Sequence, residues 1–499
     1  MPALSPQIVR RAAAHATRTA VVDRSGAHRY AELLDASARV AAALLQGRQD
    51  LDEARVCFHV PPGFPHVAVQ WGIWRAGGIA VPLAASHPLR ELEYTIGDAD
   101  PEMIVASDAG IAHCRQIASA TGRRFLLVDD ALKAVPATGL LELPASRRAM
   151  MVYTSGTTGR PRGVVVTHAM LEAQILSLVK AWSWSADDRI LLVLPLHHVH
   201  GILNVVCCAL WSGATCEMLP AFDADATWDA IASGRLTLFM AVPTIYRKLI
   251  DVYDAAPPSR QATMRAGAGQ ARLMVSGSAA LPVQTLERWR EITGHTLLER
   301  YGMTEIGMAL SNPLEGERRP GSVGAPLPGL EARVVNEHGE PVAEGEPGSL
   351  EVRGPTVFQE YWRRPEATRD SFRDEWFVTG DHAVVEDGAF KLLGRSSVDI
   401  LKTGGYKVSA LEIEEVLREH PAIRECAVVG VPDATYGDRV SVAIETRDGA
   451  TLALDELAAW TRERLAPYKV PRDLRIVAAL PRNAMGKVVK PEVVKLFGS

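Results

Sequence analysis

An α/β fold with parallel sheets is what this sequence predicts, and three observations predict it. Short apolar runs alternate with helical patterns up to about residue 310. From about 320 to 394 Gly and Pro become frequent, and short alternating segments replace the helices. Beyond Gly394 and Arg395, strand-like and helix-like segments alternate again, over a length that suits a compact domain of about 100 residues.

The apolar runs are RRFLLVDD, RILLVLPL, LTLFMAVP and ARLMVSGSA. Segments that are apolar on both faces and end in Gly, Pro or Ser fit buried parallel strands with helical crossovers. The Gly/Pro-rich stretch (RRPGSVGAPLPGLEARVV, EGEPGSLEVRGP) fits a small antiparallel β unit. The segment SSVDILKTGGYKVSALEIEEVLREH fits a turn-rich hairpin leading into an amphipathic helix, and RECAVVGV and RVSVAIET fit strands. A linker falls near 394–400, giving domains 1–394 and 395–499. No repeat or low-complexity tract interrupts this pattern.

The chain has 499 residues, too many for one ordinary core. Its net charge of −5 argues against general nucleic-acid binding, which leaves a basic footprint. No apolar run reaches the length of a membrane span. The six cysteines are scattered without CxxC or paired-His spacing, which disfavours a disulfide framework or structural zinc and points to a reducing compartment. The N-terminal stretch carries Arg10, Arg11 and Arg18 and no acid before Asp23, but is sparse in Ser and Leu. It reads as a helix of a cytoplasmic protein in preference to a transit peptide.

The strongest local signal is AMMVYTSGTTGRPRGVVVTH, residues 149–168. An apolar strand runs directly into Thr154, Ser155, Gly156, Thr157, Thr158 and Gly159. Small hydroxyl residues and glycines let backbone N–H groups and hydroxyls surround an anion closely. Thr157 and Thr158 can also approach phosphate or a metal. The plain alternative is a polar surface turn, which fits poorly with a hydroxyl and glycine cluster packed behind a buried strand. The GxxxxGK[ST] pattern of P-loop NTPases is absent.

YTSGTTGRPRG resembles the signature of the adenylate-forming superfamily, which includes acyl-CoA synthetases, luciferases and peptide-synthetase adenylation domains. Further motifs of that superfamily follow in order, and the resemblance covers roughly residues 20 to 495. It implies a large N-terminal domain of two parallel-sheet α/β subdomains plus a small β-barrel-like unit. A smaller, mobile C-terminal α/β domain follows. It also implies ATP, Mg²⁺ and coenzyme A as ligands, with the 154–159 loop on the ATP pyrophosphate.

Residues 276–282, SGSAALP, resemble the adenine-binding turn, with Gly277, Ser278 and Ala279 close to the base. Residues 300–305 resemble the YGxTE motif. There the resemblance implies that Tyr301 stacks on adenine, Thr304 contacts the α-phosphate, and Glu305 holds Mg²⁺ with Thr157. The chemistry agrees, since a hard cation takes carboxylate oxygen and a flat aromatic is a good adenine platform. Asp381 resembles the ribose-binding aspartate and Arg395 the arginine near ribose and phosphate. The stretch 399–414 resembles the C-terminal signature, with Gly404 and Gly405 beside the pantetheine arm. Lys487, in LPRNAMGK, matches the catalytic lysine, a point charge for the anionic in-line transition state. Two departures stand out. Arg162 replaces the usual Lys, and three residues instead of two separate Arg395 from Asp399. Taken singly, Tyr301, Asp381 or Lys487 would read as a core tyrosine, a turn residue and an exposed lysine. Their order makes the functional reading.

The stretch ERYGMTEIGMALSNP, with PGSVGAPLPG and SVDILKTGGYKVSALEIE, looks most like malonyl-CoA synthetases. Arg300 occupies the position just before the family tyrosine, where members using apolar acids place an apolar or small residue. An arginine in a small, partly desolvated pocket needs an anion, and the distal carboxylate of malonate supplies one. Pairing with Glu299 or Asp251 is the structural alternative. Ser278, His198 and Met308 complete the predicted acyl pocket, with His200 read as structural. The expected partners are a malonate-like carboxylate, ATP and CoA, with no nucleic acid and no membrane, in a monomer or homodimer. Rival readings are a methylmalonate, medium-chain or aryl acyl-CoA ligase, a peptide-synthetase adenylation domain, and a non-catalytic protein of the same fold. The last predicts losses at Lys487, Glu305 or Asp381, and none is lost.

Overall fold

The computed structural model describes residues 4–138, 141–154, 161–396, 398–403, 406–433, 435–447, 450–483 and 486–498. Five of the predicted pyrophosphate-loop residues (Ser155, Gly156, Thr157, Thr158 and Gly159) lie outside the described residues, as do Gly404 and Gly405.

Among the described residues two large sheets form the first part of the chain. The seven-stranded sheet has a parallel centre of Ile79–Pro82, Arg55–His59, Met103–Ala106 and Arg124–Leu127. Arg148–Thr154 joins it parallel to Ile79–Pro82 and turns back antiparallel as Arg162–Thr167. The nine-stranded sheet runs parallel through Thr19–Asp23, Thr215–Met218, Arg189–Leu192, Leu238–Ala241, Leu273–Gly277 and Leu298–Met303. All four apolar runs singled out in the sequence are parallel strands. Each is apolar along its length because helices cover both faces of such a sheet.

The helices begin where polar side chains can satisfy their first N–H groups. The Thr167 hydroxyl accepts from Met170 N at 3.3 Å, and the Asp223 carboxylate from Ala226 N at 2.8 Å. The large core holds Trp71, Trp74, Trp182, Trp228 and Trp289, all fully buried, and the Arg300 side chain is buried as deeply as they are.

The Gly/Pro-rich stretch forms a five-stranded antiparallel sheet from Glu331–Val335 to Ala389–Arg395. Beyond it lies a separate sheet with its own apolar cluster. The hairpin Ile400–Thr403 with Tyr406–Ser409 leads into the helix Ala410–Arg418, whose first turn is capped by Ser409 at 3.2 Å. The strands Ile423–Asp433 and Gly437–Thr446 pair antiparallel beside it. No helix among the described residues is long and apolar enough to cross a membrane.

Candidate active site

The site forms where the C-terminal ends of Leu273–Gly277 and Leu298–Met303 lie side by side, with Gly277 paired to Arg300. Ligands of open α/β sheets bind in the crevice outside such strand ends. Arg300 is 2% exposed and donates from Nη2 to the Ser278 hydroxyl at 3.2 Å. Its Nε and Nη1 are buried without a partner. The alternative pairings are not made. Asp251 pairs with Arg247 at 3.1 Å, while Glu299 accepts from Leu281 N at 3.3 Å. Burial lowers the guanidinium pKa to about 9, with Glu299 opposing the shift, so Arg300 is cationic at neutral pH. A buried cation with two free donors calls for an anion.

Gly277 leaves the space that the guanidinium fills. A Cβ there would stand 2.7 Å from Arg300 Cζ. Ser278 adopts a left-handed backbone (φ 72°), which aims its hydroxyl between Arg300 and His200, whose Nδ1 is 3.2 Å away. The sequence reading set Gly277, Ser278 and Ala279 close to adenine and Ser278 also in the acyl pocket; in the structure Gly277 and Ser278 face the Arg300 guanidinium, and Ala279 is exposed at the turn. Both histidines lie at the site: His200 contacts Ser278, while His198 packs on His197 with ring centroids 4.2 Å apart and feels the charge of Lys487. The chain from His200 to Cys207 is a π-helix, with His200 its first residue. Burial keeps both imidazoles neutral, His198 near 4 and His200 well below its ordinary value. Met308 is fully buried, its N–H donating to Gln174 Oε1 at 2.6 Å.

Tyr301, next in the strand, points the other way. Its hydroxyl donates to Asp381 Oδ2 at 2.5 Å, and Arg395 Nε lies 3.2 Å from Asp381 Oδ1. Three motifs remote in sequence therefore meet on one carboxylate. Burial raises the pKa of Asp381, and Arg395 opposes that rise. Lys487 comes to the same place from the C-terminal segment. Burial, then repulsion from Arg395 and Arg300, pulls its amine down to about 8, and Asp381 pulls the other way. A Cβ on Gly486 would stand 3.2 Å from Thr244 Oγ1, and Lys487 N donates to Asn483 Oδ1 at 3.0 Å.

Glu305 is buried, with Tyr361 donating to its Oε1 at 2.9 Å. Arg162 lies over the Tyr361 ring at 5.3 Å and attracts the Glu305 carboxylate. The arginine that replaces the family lysine thus stacks on an aromatic face, which a lysine does less well. Tyr361 carried no signal in the sequence. Thr154 ends its strand opposite Arg162, and Thr304 lines a small apolar cavity beneath, with Val152, Val164 and Leu203. Among the described residues no cluster of three metal-ligating side chains exists. A cation fits here as one that takes a single protein carboxylate, Glu305, and otherwise phosphate oxygens.

Comparison with known proteins gives the family. The AMP-binding enzyme profile matches residues 8–362, and the AMP-binding enzyme C-terminal domain matches residues 412–487. The chain belongs to the AMP-binding enzyme family, whose members are ATP-using and adenylate-forming. Among its relatives, mitochondrial malonate–CoA ligase ACSF3 of Mus musculus is 47% identical, over 97% of this chain and 89% of that protein. The ATP-bound structure of MatB from Rhodopseudomonas palustris superposes with TM-score 0.90 at 35% identity, covering 98% of both chains. The apo structure of the same protein gives 0.81 at equal coverage.

Proposed function

We propose that this protein is an ATP-dependent malonate–CoA ligase. The observation that carries the choice of acid is the buried Arg300 guanidinium, with two unpartnered donors beside Ser278 and His200. In the first step an oxygen of one malonate carboxylate attacks the ATP α-phosphorus, and the P–O bond to pyrophosphate breaks. The distal carboxylate stays on Arg300. Lys487 neutralises charge gathering at the α-phosphate. In the second step the CoA thiolate attacks the acyl carbon of malonyl-AMP, forming the thioester and releasing AMP. Asp381 and Arg395 suit the ribose, and Tyr301 the adenine. Mg²⁺ would neutralise the phosphates, and Glu305 would be its carboxylate ligand. CoA approaches through the small domain. The relatives named as malonate–CoA ligases support the reading.

We put the domain boundary at 394/395, at the start of a linker near 394–400 between the strand Ala389–Arg395 and the hairpin that begins at Ile400, and brief proteolysis is expected to cut in that linker first. We assign the protein to the cytoplasm, as a monomer or homodimer; its six cysteines are all buried free thiols. Recovery in a mitochondrial fraction would overturn the compartment, and a larger species in light scattering the assembly. The test of function is AMP release with CoA across mono- and dicarboxylates. Malonate is expected to be the best substrate, with methylmalonate next. Preference for acetate, octanoate or benzoate would refute the assignment.

A further inference from the structure

Lys490 has no part in the site described above, yet it is one of the most buried lysines of the small domain. Its side chain is 11% exposed, and its Nζ lies 2.5 Å from Asp399 Oδ1 and 2.8 Å from Glu414 Oε1. Those carboxylates are themselves 13% and 5% exposed. Two buried acids sharing one ammonium form a unit that none can leave without uncovering a charge.

The three residues belong to different pieces of structure. Glu414 is on the helix Ala410–Arg418, and Lys490 begins the helix Lys490–Lys495. Asp399 stands in the turn between the domains, where its other oxygen accepts from Arg395 N at 3.0 Å. Arg395 in turn holds Asp381 in the nucleotide site. At the opposite end, Lys490 is three residues from Lys487. The intervening chain is clamped by an Arg482–Val488 bridge, by Val489 N on Pro481 O at 2.9 Å and by Asn483 N on Lys487 O at 2.9 Å. A displacement of Lys490 therefore passes directly to Lys487.

We propose that Lys490 is a positioning residue for adenylate formation. It ties Asp399, and through it the interdomain turn at Arg395, to the loop that carries Lys487 into the nucleotide site. The ammonium holds Asp399 where its other oxygen accepts from Arg395 N, so the turn and the catalytic loop are set together. Once the domains rearrange for thioester formation, Lys487 leaves the site and this alignment no longer matters to the reaction.

The inference rests on the proposed two-step reaction, and the test separates the two. Adenylate formation is read as malonate-dependent ATP–pyrophosphate exchange, and thioester formation from supplied malonyl-AMP and CoA. Lys490→Met is expected to lose exchange by about 10²-fold, the scale of a roughly 1 Å misplacement, and to keep thioester formation near wild type. Lys490→Arg restores most of the exchange. Asp399→Asn, the mildest change in shape, gives the same split to a smaller degree, and decides the matter if the Met variant does not fold. Parallel loss of both steps, or no loss of exchange, overturns the proposal. If wild type rejects malonate, the substrate reading fails, and the same pair of assays with the accepted acid and its adenylate still decides the role of Lys490.

Discussion

Gly277 and Arg300 face each other across neighbouring strands, and each explains the other. A glycine there was legible as a close approach, but what approaches is a protein side chain. Gly277→Ala would drive a methyl into the guanidinium, 2.7 Å from Cζ. The expected result is a fall in kcat/KM for malonate of about 10²-fold, with KM for ATP little changed, read in steady-state kinetics. Lys487 gives a second prediction at this scale. Its amine, lowered to about 8 by burial and neighbouring cations, must be protonated to stabilise the transition state. A base with a lowered pKa loses its charge as pH rises through that value. The kcat/KM of adenylate formation, which reports the free enzyme, is thus expected to decline above about pH 8. Thioester formation from supplied malonyl-AMP lacks that limb. Arg300, Tyr301, Asp381, Arg395 and Lys487 were singled out through the order of family-like motifs, and the structure brings them to one place. Lys490 was not, since its partners lie far away along the chain and nothing local marks it.

At the scale of elements, the strands were legible because parallel strands between helices are apolar on both faces. Both His198 and His200 were singled out in the sequence, but the contact of His200 with Ser278 was not, because no local pattern pairs residues so far apart along the chain. Nor does any local pattern show that Thr19–Asp23 crosses to pair with Thr215–Met218 in the second sheet. The contact between the domains was equally hidden. Glu415, on the helix Ala410–Arg418, accepts from Val283 N at 2.9 Å, the first residue of the helix Val283–Thr293. A carboxylate at a helix N-terminus contributes about 1 kcal/mol. Here it joins the small domain to the large one while Lys487 is in place. Glu415→Ala is expected to slow adenylate formation about fivefold, that energy as a rate, and to spare thioester formation in separate half-reaction assays.

Across the whole molecule, two reactions with different nucleophiles share one adenylate. The arrangement described here puts Lys487 beside Asp381, Arg395 and Arg300, and it matches ATP-bound MatB more closely than apo MatB. In the proposed reaction this arrangement suits the first step. In the proposed second step a hinge closure of the small domain would exchange Lys487 for Gly404 and Gly405. Lys487→Ala is therefore expected to lose adenylate formation by about 10²-fold or more, and to convert supplied malonyl-AMP and CoA at near the wild-type rate. Equal loss in both would contradict the two-state account. The central claim, that a buried arginine selects a dicarboxylate, is tested most directly by kcat/KM for malonate and for butyrate in wild type and Arg300→Ala. Removing one partner of a buried charge pair costs roughly 2–5 kcal/mol, or about 30- to 5000-fold. Malonate should lose on that scale, while butyrate falls far less or rises, since the unpaired cation is gone. A parallel fall for both acids would make Arg300 structural and contradict the account.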